Sequence, residues 1–146
     1  MKKLLVLFLA VFTLIGMVGC SQTEKLKYVT EMADAVPDLT GAYVGLHDLY
    51  TSPLSYTTEE WTTTLREHKG EIEEEYNQIQ ELTPLDSLTD AHNSLLQVLE
   101  VTIDTNNVID EQIQKGEKID FTNALNKLNE LKAGLEQALT EITSFK

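Results

Sequence analysis

The chain predicts an all-α fold, an up-down antiparallel bundle of three to four helices, and three observations carry that prediction. Apolar residues recur with a helical period almost everywhere past residue 24, and no stretch alternates as a half-buried strand would. In the last segment Phe121, Leu128, Leu135 and Ile142 stand seven residues apart, with Ala124, Leu131, Ala138 and Phe145 three further on and Leu125 and Leu139 beside them. That is the core-facing stripe of a bundle helix. Helix start and stop signals divide the remainder into segments with short connections, which favour antiparallel neighbours.

The first element is not part of the bundle. Lys2 and Lys3 precede an apolar run from Leu4 to Met17, which ends in Met17-Val18-Gly19-Cys20. A charged start, a short apolar stretch and small residues before a cut are what signal peptidase recognition needs. The cysteine at the cut makes the segment read as a bacterial lipoprotein signal closing on a lipobox. Residues 1–19 are then removed, with cleavage between Gly19 and Cys20, and Cys20 becomes the lipidated first residue. A membrane span would need roughly 20 predominantly apolar residues, and here the run gives way to Gly19, Cys20 and the polar Ser21-Gln22-Thr23-Glu24. Cys20 is the chain's single cysteine, so it has no disulfide partner within the chain. Thioether-linked diacylglycerol on it brings two acyl chains, which suffice for stable anchoring where one is marginal.

With Lys2 and Lys3 gone, nine basic residues face 24 acidic ones, a formal charge of −15 against −13 for the whole chain. Nucleic acid, whose phosphates require neutralising Lys and Arg, is not an expected partner. Lys25 and Lys27 form a local exception beside the anchor, where they can rest against anionic headgroups. Residues 20–24 read as the lipidated cysteine and a short tether, and 25–146 as a single helical domain. A tether of four or five residues reaches only about 15 Å, so the expected location is the extracytoplasmic face of the cell membrane.

The first helical region runs from about Glu24 to Tyr50, with Val29, Val36, Tyr43 and Tyr50 at seven-residue spacing and Met32, Leu39 and Leu46 between them. Pro37 removes the bond to the Ala33 carbonyl and disfavours helical geometry at Val36, so the region is expected to be kinked or to form two short helices. Thr51 to Ser55, with Pro53, reads as the longest loop. Thr57 and Glu60 form a capping box for the second helix, with Tyr56 and Trp61 at staple positions. Its stripe is Trp61, Leu65, His68, Ile72, Tyr76, Ile79 and Leu82. Glu75 and Tyr76 contend for one inward position, which Tyr76 is expected to take. Thr83-Pro84 predicts a third helix from about Leu85 to Lys115, whose stripe holds Leu88, His92, Leu95, Leu99, Ile103, Ile109 and Ile113. Gly116 closes it, Asp120 caps the fourth, and Gly134 is the weak point within that last helix.

The mature part resembles a family of short uncharacterised lipoproteins of Bacillus and its relatives. The likeness rests on Leu26-Lys27-Tyr28-Val29 after the anchor, Pro37, Glu71-Ile72-Glu73-Glu74 running to Leu82-Thr83-Pro84, His92, and Gly116 leading to Ile119-Asp120. It is a likeness of layout over most of the mature chain. It implies a helical lipoprotein with no assigned activity and transfers no site residues.

Chemistry is sparse in the pattern. Di-iron bundles need Glu three residues before His, whereas Val44, Leu65 and Thr89 precede His47, His68 and His92. His68 and His92 share inward stripes but differ in level by roughly 10 Å, so no common metal is expected and the simpler reading is partly buried, hydrogen-bonded histidines. Glu71, Glu73, Glu74 and Glu75 are acidic residues of the kind that suit calcium or magnesium, yet consecutive helical positions point apart, and the run reads as a solvated face. Tyr28, Tyr43, Tyr50 and Tyr56, with Thr62-Thr63-Thr64, mark either a contact surface or the covered ends of a core. Asn106 is placed to fix register through a buried amide. There is no nucleophile elbow, no phosphate-cradling glycine loop and no compelling Ser/His/Asp set; catalytic, metal-binding and cofactor-binding residues are accordingly none.

Together these features predict a membrane-anchored interaction or accessory module, without enzymatic activity, held to the membrane by lipid on Cys20 and meeting a membrane-proximal protein partner. The alternative is a small-ligand or divalent-cation binder. An enzyme is the third and weakest reading, because no convergent titratable set can be assembled.

Overall fold

A computed structural model describes residues 23–52 and 56–144, with side chains from Leu26 onward. The predicted signal peptide 1–19, the cleavage and lipid-attachment residues Gly19 and Cys20, the loop residues Pro53 to Ser55 and the stripe member Phe145 lie outside the described residues. Four helices, α1 (Thr23–Thr51), α2 (Glu59–Gln80), α3 (Thr89–Lys115) and α4 (Phe121–Ser144), make up the bundle. Each helix packs against its neighbours in sequence and α4 closes the ring against α1, so α1 and α3 are diagonal. The fold class is the all-α bundle that the periodicity predicts.

One uninterrupted helix of 29 residues passes through Pro37, so the expected break into two short helices does not occur. Pro37 is exposed, while Met32, Val36, Leu39, Leu46 and Tyr50 are buried on the inner side. An interior proline costs about 3 kcal/mol, whereas each fully buried large apolar side chain contributes roughly 1.5–3 kcal/mol. Burial on both sides of the proline therefore outweighs its missing bond. Thr51, expected in the loop, is the helix's last residue.

The start of α2 is displaced by one residue from the predicted capping box. Thr58, not Thr57, is the N-cap, with its hydroxyl accepting from the Trp61 backbone N–H at 3.3 Å. The expected aromatic contact survives this shift, as Tyr56 meets Trp61 edge to face with centroids 6.4 Å apart. A larger displacement separates Thr83-Pro84 from α3. Leu85 stays extended, Asp86–Leu88 forms a single 3₁₀ turn, and the α-helix begins at Thr89. The turn is set by burial of Leu88 in the core and by bonds from Leu88 N–H (2.8 Å) and the Thr89 hydroxyl (3.2 Å) to the Leu85 carbonyl.

The other punctuation matches the prediction. Gly116 adopts the left-handed conformation (φ 68°), with its own N–H and that of Glu117 donating back to Ile113 and Gln112 at 3.0 and 2.9 Å. This is a Schellman closure, for which glycine is the least strained residue. Asp120 Oδ1 then accepts from the N–H groups of Thr122 and Asn123 at 3.0 and 3.3 Å. Along α4, Ala124, Leu128, Leu131, Leu135, Ala138, Leu139 and Ile142 are buried. At Gly134 α4 packs against α3 with no room for a side chain, since a Cβ there would lie 2.8 Å from Val98 Cγ2. Gly45 of α1 plays the same part toward α2, as the His68 ring occupies the space a Cβ would need.

The two ends of the bundle differ. The start of α1, the α2–α3 connection and the end of α4 form one end. At the far end Tyr50, Tyr56, Trp61 and Phe121 cluster, with Phe121 centroids 5.7–5.8 Å from those of the other three. The tyrosines there close the end of the core.

Candidate functional site

Polar side chains inside the bundle are satisfied by one another. Near the end where α1 begins, the Tyr28 hydroxyl of α1 and His92 Nδ1 of α3 are hydrogen-bonded at 3.1 Å across the diagonal. Both residues are buried. Burial, reinforced by the Glu141 carboxylate, pushes the Tyr28 hydroxyl up to about 12, and burial lowers the pKa of His92 from its ordinary value. Charged forms of both are thus disfavoured, which is the expected response to a low-dielectric setting. Toward the far end, the Tyr50 hydroxyl donates to Asn106 Oδ1, and Asn106 Nδ2 donates to the Thr102 carbonyl at 2.8 Å. Burial raises Tyr50 well above the usual phenol range. Asn106 is 1% exposed, so the buried amide predicted from the stripe is in place. No buried side-chain nitrogen or oxygen among the described residues lacks a partner.

The histidines have separate partners, as their different levels predict. His68 Nδ1 lies 2.8 Å from Glu71 Oε2 on the outer part of α2, while exposed His47 lies 3.8 Å from Asp48. Of the acidic run, Glu71 pairs with His68 and Glu73 with Lys69 at 3.5 Å, and Glu74 is solvent-exposed. Glu75 overturns the remaining expectation. It is 8% exposed, whereas Tyr76 is half-buried at the core's edge. By helical angle residues 75 and 76 flank the Ile72–Ile79 line about equally, one on each side, and burial with Asp38 and Glu74 nearby pushes the Glu75 carboxyl above the ordinary range. Among the described residues, no group of three or more His, Cys, Asp or Glu side chains is arranged to hold a metal ion. The hydroxyls of Thr62 and Thr64 return to helix carbonyls at Glu59 and Glu60, 2.9 and 3.0 Å away.

Sequence reasoning did not anticipate a shallow groove of about 280 Å³ between α3 and the start of α4. Val101, Val108, Ile109 and Ala124 form its apolar lining, and Asp104 and Asp120 stand at its edge. Val108, which is 52% exposed, is the one exposed large apolar side chain among the described residues. The signal was present but faint: Val101 and Val108 are seven apart on the outer side of a helix whose inner stripe dominates the periodicity.

Cys20 and Gly19 lie before the first described residue, and α1 begins three positions after the cysteine. Among the described residues no helix is long and apolar enough to cross a membrane. No family model, curated protein or solved structure matches the chain.

Proposed function

We propose that the protein is a lipid-anchored, extracytoplasmic accessory module that binds a neighbouring membrane protein and has no catalytic activity of its own. The observation that carries this reading is the junction at residues 17–23. The Met17-Val18-Gly19-Cys20 segment ends in the cysteine that takes lipid, and the bundle's first helix starts at Thr23. Only Ser21 and Gln22 separate anchor from helix, which holds the bundle against the membrane. The interior supports a binding role over chemistry, because Tyr28, His92, Tyr50 and Asn106 spend their hydrogen bonds on joining α1 to α3.

Crosslinking in cells that carry a tagged, lipidated form, followed by gentle membrane extraction and mass spectrometry, tests it against a Cys20→Ser control. A defined partner that disappears with the anchor is the expected result. A well-folded protein that captures no partner in either form would sink the proposal and favour a small-ligand binder, for which thermal-shift screening is the measurement.

A further inference from the structure

We infer that the α3–α4 groove is the docking surface, and that it receives a partner segment presenting a lysine or arginine beside a small aliphatic side chain. This rests on the accessory-module reading and names the surface through which it works. The groove has the composition such a segment needs. Val101 and Val108 offer an apolar strip on which the methylene stem of a basic side chain can lie. Asp104 stands beside that strip, is exposed, and has no cation paired with it among the described residues.

Three cations of α2, α3 and α4 are engaged elsewhere, and Lys118 on the α3–α4 connection is exposed and pairs with neither Asp104 nor Asp120. Arg66 donates from Nε and Nη2 to Asp110 Oδ1 at 3.1 and 2.7 Å, Lys115 pairs with Glu111 at 2.8 Å, and Lys127 pairs with Glu130 at 3.0 Å. Asp120 adds negative charge at the groove's edge, although its Oδ1 already caps α4. A bare acidic surface would attract any cation, but the exposed Val108 beside Asp104 adds a requirement for apolar contact. Complementary charge then sets orientation and encounter rate. The groove lies toward the aromatic end of the bundle, so the segment it takes belongs to the extracytoplasmic part of a partner, well clear of the bilayer.

The probe is a blocked pentapeptide of alternating lysine and leucine, titrated into the detergent-solubilised full chain with methyl NMR as the readout. Val101 and Val108 methyl signals are expected to shift, while an alternating glutamate and leucine peptide leaves them in place. Asp104→Lys should weaken binding by about tenfold, the usual scale for reversing a charge at an interface rim with close contacts. Val108→Ser should weaken it several-fold, and both positions are exposed, so neither change threatens the fold. Shifts spread over the whole acidic surface and indifferent to Asp104→Lys would overturn the inference, as would a dimer in sedimentation that Val108→Ser dissociates, since a second copy would then own the groove. Failure here leaves the accessory role standing if cells still yield an anchor-dependent partner. Success here without such a partner would sink the role and keep the groove.

Discussion

Two glycines one turn apart on α1 show how much depends on what faces a residue. Nothing lies within 4 Å of a Cβ built at Gly41, whereas the His68 ring fills that space at Gly45. Gly41→Ala should therefore stabilise the bundle by about 0.5–1 kcal/mol, the ordinary gain in helix propensity. Gly45→Ala should destabilise it by about 1–3 kcal/mol through overpacking. Chemical denaturation of both variants checks the opposite signs. Glu75 offers a second test at this scale. Its folded-state pKa is raised by burial, with Asp38 and Glu74 beside it, so the folded chain holds a proton that the unfolded chain has already lost just above pH 4.5. Stability must then fall as pH rises through that window. Glu75→Gln should be more stable than the parent at neutral pH and should lose that part of the pH dependence. Equal denaturation midpoints at pH 7 would show that the carboxylate is solvated after all. The identity of the inward residue was not legible in the sequence, because positions 75 and 76 are near-equivalent by helical angle and hydrophobicity alone favours Tyr76.

At the scale of the element, the apolar stripes of all four helices and the closures at Gly116 and Asp120 were legible, because each follows from a local rule with few competitors. The starts of α2 and α3 were not. Thr57 and Thr58 offer the same hydroxyl, and the choice between them depends on where Trp61 must sit. Thr83-Pro84 is a sound start signal, but burying Leu88 requires an extra turn before the α-helix can begin. Of the kink or break expected at Pro37, the break is absent for the same reason, since a rule about backbone bonds says nothing of the burial of Val36 and Leu39 on either side. Relieving that cost should show directly. Pro37→Ala should raise stability by about 1–3 kcal/mol, read as a higher midpoint in thermal unfolding, and an unchanged midpoint would mean that α1 had already absorbed the missing bond. Gly116→Ala should act in the opposite direction by about 1 kcal/mol, because alanine must adopt a left-handed backbone.

For the molecule as a whole, the fold class was readable from periodicity, whereas the groove was not, because it arises from the separation of two helices rather than from either one. The anchor belongs to this scale too. Cys20→Ser should move the protein from membrane to soluble fractions while leaving its circular dichroism unchanged, and retention in the membrane would remove the basis for the accessory role. The diagonal hydrogen bonds have a further consequence for how the bundle opens. Tyr28 and His92 bolt α1 to α3 near the start of α1, while Tyr50 and Asn106 do so toward the aromatic end, yet only the first bolt contains a group that acid can charge. His92 is held below its ordinary pKa, so its contribution is intact above pH 6.5 and is lost as pH falls below it. Acidification should therefore loosen the molecule first at the end where α1 begins, with amide hydrogen exchange accelerating around His92 while Asn106 stays protected. With the anchor proposed on Cys20, the root of the bundle against the membrane would be the part that acid unfastens.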